Sequence, residues 1–185
     1  MDTLGLEIDK HISDDCRTLY IRQKAKRGIL QPYTKTRSGT EAQVDGEVIG
    51  RDVDLCSKLS ALVQECIGKR TSGLLFCTSS GRQILQTDIL RDSLHPILKR
   101  LEHEYGGFNI FRRFRITCLK KSGCPEFLQY FWSGHAQTHI SERYTKLLKE
   151  RDFRLEWAER VGMGFELSAA PVAHLAHLIP FRKTG

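Results

Sequence analysis

Hydrophobic and polar positions alternate with a period of two in the N-terminal part of the chain, which is typical of strands. The segment Thr18 to Gln23 alternates and is rich in strand formers, and Gly28 to Lys35 follows it after the basic residues 24–27. Together these segments predict a β-hairpin, with a third strand near Gln43-Val44. The strands predict a small antiparallel sheet.

From Asp54 onward the hydrophobic positions recur at helical spacing. The predicted helices are an amphipathic one after Asp54, one over Gln86 to His103 with a kink or break at Pro96, and four more over Asn109 to Lys121, Pro125 to Trp132, Thr138 to Arg151 and Phe153 to Val161. A small N-terminal antiparallel β-sheet followed by a mainly helical bundle predicts an α+β fold.

The chain of 185 residues has the length of one domain with a single core. We expect one unit over residues 1–185, with a core over about 1–151 and a C-terminal tail over 152–185. No apolar run approaches the ~20 residues that cross a bilayer, and the first residues lack the basic and apolar regions of a signal peptide. The expected location is the cytoplasm, with no membrane partner.

The charge balance is basic, with 29 Lys and Arg against 22 Asp and Glu and a net charge of +7. This balance favours a polyanionic partner, and a basic surface without a specific partner is the alternative. The six cysteines form no C-x-x-C pair and most lie in apolar stretches, which is typical of reduced thiols in a cytoplasmic protein.

Arg112 is the first candidate for chemistry. Its position on the predicted helix lies between those of Ile116 and Leu119, so its side chain leaves from a partly apolar sector. A guanidinium there needs an anionic partner, either a phosphate or an Asp or Glu in a structural ion pair. Asn109 lies near the same face and could donate a hydrogen bond, although an amide cannot transfer a proton as an imidazole does.

His135 and Tyr144 are the next candidates. One unbroken helix would separate them by ~13.5 Å along its axis, so a break is needed if both contact one phosphate. Gly134 and Thr138, a candidate N-cap, supply that break. Tyr144 also falls on an inward stripe of its predicted helix, so a plain core tyrosine is the alternative.

The series Asn109-x-x-Arg112, Gly134-His135 and Tyr144 resembles the catalytic C-terminal half of the tyrosine recombinase, or phage integrase, family. That family has His-x-x-Arg, then Leu-Gly-His about twenty residues later, then a nucleophilic tyrosine nine residues further on. The chain departs from the pattern where Asn109 replaces the first histidine and Ser133 replaces the leucine.

The resemblance implies site-specific DNA recombination or integration without a cofactor. Tyr144 would form a 3′-phosphotyrosyl DNA intermediate, which conserves the phosphodiester energy. Arg112 and His135 would bind the phosphate, and Asn109 would be a weakened substitute for the histidine. Lys35, in Lys-Thr-x-x-Gly, is similar to the family's hairpin lysine that protonates the departing 5′-hydroxyl.

The resemblance also implies double-stranded DNA as the partner, with Arg37, Arg113, Arg115 and Lys120 as DNA-binding residues. We expect a monomer without DNA and a tetramer on DNA, with the tail available for exchange between protomers. The family's first catalytic arginine has no counterpart before Arg17, so we expect a chain truncated upstream of its sheet. Loss of one such donor costs ~100- to 1,000-fold in rate, so we expect strand cleavage to be slow or absent.

Two other functions are alternatives to a recombinase, and a metal site is disfavoured. A non-catalytic DNA-binding remnant of a mobile element would use the basic surface of Arg112, Arg113, Arg115, Lys120 and Lys121. A type IB topoisomerase shares the tyrosine chemistry, but the short spacing after Gly-His fits recombinases better. A zinc site is disfavoured because Cys118, Cys124, His135 and His139 do not have finger spacing, so no metal is expected.

Overall fold

The computed structural model describes residues 2–26, 29–31, 43–44, 47–48, 50–103, 106–134 and 146–166. Its strands are β1 Thr18–Ile21, β2 Lys24–Lys26, β3 Ile29–Gln31, β4 Gln43–Val44, β5 Glu47–Val48 and β6 Arg51–Asp54. Its helices are α1 Ile8–His11, α2 Ser57–Ile67, α3 Gln86–Ile89, α4 His95–Arg100, α5 Asn109–Lys121, α6 Glu126–Ser133 and α7 Arg151–Val161. The predicted α+β class is confirmed.

The strands pair differently from the prediction. Within the described ranges they form three antiparallel two-stranded ladders, β1 with β6, β2 with β3, and β4 with β5. The hairpin predicted between 18–23 and 28–35 is wrong, because the basic segment 24–26 is itself the strand that pairs with Ile29–Gln31. Its pattern is Lys-Ala-Lys, and the central Ala25 is buried.

Side chains alternate between the two faces of the β1–β6 ladder, and one face is apolar except for Arg51, which lies opposite Ile21 at its end. Leu19 and Ile21 lie on the apolar face with Val53, and they pack with Leu6, Leu55, Leu75 and two residues of α2, Val63 and Ile67. The polar face carries Thr18 opposite Asp54. Both of these residues are buried, so the helices must cover this face as well.

The helices build a second core. The residues Leu119, Cys124, Leu128, Phe131, Trp132, Leu147, Ala158 and Val161 form it. Leu90–Leu94 forms a π-helix between α3 and α4 and ends two residues before Pro96. The helix predicted there is present, with its irregular turn just before the proline. In the ranges that the structure describes, no helix has the length and apolar character needed to cross a membrane.

Buried charges join the two cores. Arg154 on α7 donates from Nε to Asp54 Oδ2 at 2.7 Å, and Trp132 on α6 donates from Nε1 to the same oxygen at 2.8 Å. Thr18 donates to Asp54 Oδ1 at 2.9 Å. The side chain of Asp54 is therefore the point at which β1, α6 and α7 meet.

Candidate functional site

Helix α5 positions the predicted phosphate ligand. The helix spans the residues predicted for it, Asn109–Lys121, and ends where Gly123 adopts a φ of 68°. Arg112 is half-buried, as its place beside Ile116 and buried Leu119 predicts. Its Nη2 donates to the carbonyl oxygen of Ser133 at 2.7 Å. Arg112 thus reaches across to the C-terminal end of α6.

The C-terminal end of α6 receives a second arginine. Arg51 on β6 donates from Nη1 to the same Ser133 oxygen at 3.2 Å. Carbonyls in the last turn of a helix need partners outside the helix and favour positive charge, which accounts for the two guanidinium groups. Gly134 then ends α6 in the left-handed conformation, with a φ of 66°. The guanidinium groups of Arg51 and Arg112 therefore meet at Ser133, the residue directly before Gly134-His135.

A cavity of about 360 Å³ opens beside this end of α6. Its wall includes two arginines of α5 together with apolar residues from α2, α5, α6 and the segment after α7: Arg112, Arg115, Leu59, Ile116, Trp132 and Phe165. The volume is in the range of small-ligand pockets. Attraction between an anion and a guanidinium is stronger beside such apolar walls than in water.

Arg115 lies on the cavity side rather than on the exposed basic surface that was predicted to bind DNA. It is half-buried and donates from Nη1 to the carbonyl oxygen of Gly162 at 2.5 Å. Burial lowers the pKa of its guanidinium, against weaker opposing effects from nearby thiols. Arg115 therefore ties α5 to the end of α7 and adds charge to the cavity wall.

The other predicted residues of α5 are exposed. Asn109 begins the helix, one turn before Arg112, and its side chain faces solvent. Arg113 and Lys120 are exposed on the side predicted for them, and Lys121 is exposed as well. They are accessible to a polyanion without any change in the fold.

Four predicted residues lie outside the described residues: Lys35, Arg37, His135 and Tyr144. The same holds for His139 and for the tail beyond residue 166. Ser133 comes two residues before His135 in the chain. The contact with Ser133 therefore brings Arg112 to the beginning of the segment that carries His135 and Tyr144.

Sequence reasoning missed Arg51 and the buried Asp54, which also lines the cavity. Arg51 lies on a strand, where no phosphate motif marks it. Asp54 follows Val53 in a short segment of alternating residues. Because neighbouring side chains on a strand point to opposite faces, this alternation could have indicated that Asp54 faces the helices.

All six cysteines are free thiols. In the parts of the chain that the structure describes, no three His, Cys, Asp or Glu side chains come together in a way that could hold a metal ion. No protein-family model, no curated protein and no solved structure matches this chain. The arrangement of Arg51, Arg112 and the end of α6 is therefore the basis on which a function is proposed.

Proposed function

We propose that this protein breaks and rejoins DNA by tyrosine recombinase chemistry. Tyr144 is the nucleophile, Arg112 and His135 bind the scissile phosphate, Lys35 is the general acid, and Asn109 donates a further hydrogen bond. The main support is the contact of Arg112 Nη2 with Ser133 O, because it joins two parts of the recombinase-like pattern that are 21 residues apart.

The proposed reaction is a transesterification. The phenolic oxygen of Tyr144 bonds to phosphorus as the bond to the 5′-oxygen breaks, and His135 takes the phenolic proton. Lys35 protonates the departing 5′-oxygen, which leaves as a hydroxyl. Guanidinium donors stabilise the charge on the phosphoryl oxygens in the transition state. Attack by a 5′-hydroxyl on the phosphotyrosyl bond reverses these steps, so no cofactor is consumed.

Arg51 joins the proposed site as a further phosphate ligand. Both guanidinium groups reach the carbonyl oxygen of Ser133, at 3.2 Å from Arg51 and 2.7 Å from Arg112, so two permanent positive charges lie close together. Two arginines at one point match the two charges that a five-coordinate phosphorane develops. Arg51 would thus supply part of the stabilisation that the family obtains from its first arginine.

Double-stranded DNA is the proposed substrate, contacted through the exposed Arg113 and Lys120 and through Arg37. Between residues 106 and 125 the chain has five Arg or Lys and no Asp or Glu. We assign the activity to the cytoplasm, because six free thiols suit a reducing compartment. The protein is proposed to be a monomer alone and a tetramer on DNA.

Covalent capture tests this proposal. The wild-type protein is incubated with labelled nicked duplexes of randomised sequence, from which the cleaved strand diffuses away, and adducts are separated by denaturing electrophoresis. The wild type should yield an adduct and Tyr144→Phe should yield none. Arg112→Lys should slow adduct formation by ~100- to 1,000-fold, whereas the exposed control Arg113→Lys should keep the cleavage rate once DNA is saturating.

A non-catalytic DNA-binding protein is the second candidate, and it is favoured by the exposed Arg113, Lys120 and Lys121 on a helix without acidic residues. Phosphate contacts of this kind make affinity fall steeply with salt. Salt-sensitive DNA binding by the wild type with no adduct on any substrate would refute the recombinase proposal and leave this one.

A further inference from the structure

Three phenylalanine rings are exposed along one side of α5 and the segment after α7. Phe111 is 53% exposed, Phe114 is 44% exposed and Phe165 is 53% exposed. The rings of Phe114 and Phe165 lie 6.0 Å apart between centroids, and Phe111 lies 6.3 Å from Phe108. Exposed apolar surface that is clustered in this way is typical of a binding surface.

Basic residues flank these rings. Lys121 lies two turns after Phe114 on the same side of α5 and is exposed, and Arg113 is exposed on the adjoining side. The acidic residue beside Phe165 is Glu166, which Lys58 pairs at 2.7 Å. We call Phe111, Phe114, Phe165, Arg113 and Lys121 the aromatic platform.

We propose that the aromatic platform binds a single-stranded nucleic acid, with unpaired bases stacked on the three rings and phosphates on the two cations. Aromatic rings beside basic residues form the usual surface for single strands, because every base has a face that can stack. An apolar protein partner suits this surface less well, because α5 exposes three cations, Arg113, Lys120 and Lys121, and has no anion. The binding needs neither Tyr144 nor cleavage, so it goes beyond the proposed function.

The aromatic platform and the candidate phosphate site lie on different sides of α5. Arg112 leaves α5 on the half-buried side, and Phe111 and Phe114 leave it on the exposed side. A strand on the platform would therefore lie on the same helix as the candidate ligand of the scissile phosphate.

Fluorescence anisotropy with a labelled oligothymidine of about 15 nucleotides tests the proposal, on the full chain carrying Tyr144→Phe so that cleavage plays no part. The double substitution Phe111→Ala with Phe114→Ala should weaken binding by about 5- to 150-fold for each ring removed. A duplex of the same length should lose much less affinity, because its bases are stacked inside. A matched control removes two similarly exposed apolar groups, Ile97→Ala on α4 and Leu101→Ala directly after it, and should bind as before.

Conservative substitutions separate stacking from general hydrophobic contact. Phe114→Tyr keeps the ring and should bind like the parent, whereas Phe114→Leu keeps apolar area without the ring and should weaken binding. Single-strand affinity that is unchanged in the double variant, an equal loss with the duplex, or a change in oligomeric state in place of a change in affinity would each overturn the proposal. Absence of a covalent adduct, by contrast, would bear only on the proposed function.

Discussion

Arg154→Met tests the buried charges that hold the helices against the ladder. The side chain of Arg154 is 1% exposed, and it donates to Asp54 at 2.7 and 3.4 Å and to the carbonyl of Leu148 at 3.1 Å. Methionine has a similar length and no charge, so the substitution removes the cation from buried Asp54 and also from Asp52, whose Oδ2 lies 3.5 Å from Arg154 Nη2 and which keeps its pair with Arg22. Breaking a buried pair in this way costs about 3–5 kcal/mol.

That loss is large compared with the total stability of a domain, which is about 5–15 kcal/mol. Urea unfolding at pH 7, followed by circular dichroism, measures it. Arg160→Met is the matched control, because Arg160 is exposed on the same helix and stacks on the Trp157 ring at 4.7 Å. The control should lose no more than about 1 kcal/mol.

A double-mutant cycle identifies the source of the loss. Asp54→Asn combined with Arg154→Met should cost less than the sum of the two single substitutions, because neither charge is then buried without its partner. The reasoning is refuted if Arg154→Met unfolds within about 1 kcal/mol of the wild type, or if the two losses add.

Three further predictions concern single sites. Gly134→Ala and Gly123→Ala should lower the free energy of unfolding by similar amounts, about 1–2 kcal/mol, because both glycines have positive φ. Only Gly134→Ala should also slow adduct formation. Its new Cβ would lie 2.8 Å from Arg51 Nη1, whereas nothing lies within 4 Å of a Cβ at Gly123. Backbone and hydroxyl hydrogen bonds from Ser57 lower the pKa of Glu159, so the contribution of this carboxylate to the free energy of unfolding is complete above about pH 4.3, the unfolded value, and is lost as the pH falls through the lowered folded value. Urea unfolding should show Glu159→Gln less stable than the wild type by up to about 1 kcal/mol at pH 7, and this gap should narrow as the pH is lowered further into the acid range. Burial raises the pKa of Cys124 to about 11, so peptide mapping at pH 8 should find it alkylated far more slowly in the folded protein than in urea, and equal rates would contradict its burial.

Local periodicity predicted α2, α5, α6, α7 and the helical segment from Gln86, because the helical pattern depends on near neighbours. The short helix α1 was not predicted, and residues 138–145 of the helix predicted over Thr138 to Arg151 lie outside the described residues. Residues 109–121 contain no glycine or proline, apolar positions recur at helical spacing, and α5 has the predicted bounds. The half-burial of Arg112 followed from its position on that helix.

Pairings between distant residues could not be read from such patterns. The partner of β1 is β6, with Leu19 opposite Val53, and this register is decided by which residues reach the core. The contact between Asp54 and Arg154 joins positions 100 residues apart. Charged residues are expected at the surface, so only the assembled fold reveals that these two are buried together.

Only part of the candidate site was predicted, because some of its contacts join residues that are distant in the sequence. The spacing of the motif drew attention to Arg112 and to the segment after Ser133, and the structure brings these two together. Arg51 joins them through the β1–β6 ladder, whose pairing the sequence did not indicate.

Identification of the residue that bonds to DNA is the most direct test of the central claim. Adducts trapped on nicked DNA are digested with nuclease and protease, and mass spectrometry locates the nucleotide that remains on the protein. The account predicts a 3′-phosphotyrosyl linkage at Tyr144. An adduct at another residue, or no adduct under conditions in which the protein binds the DNA, would contradict it.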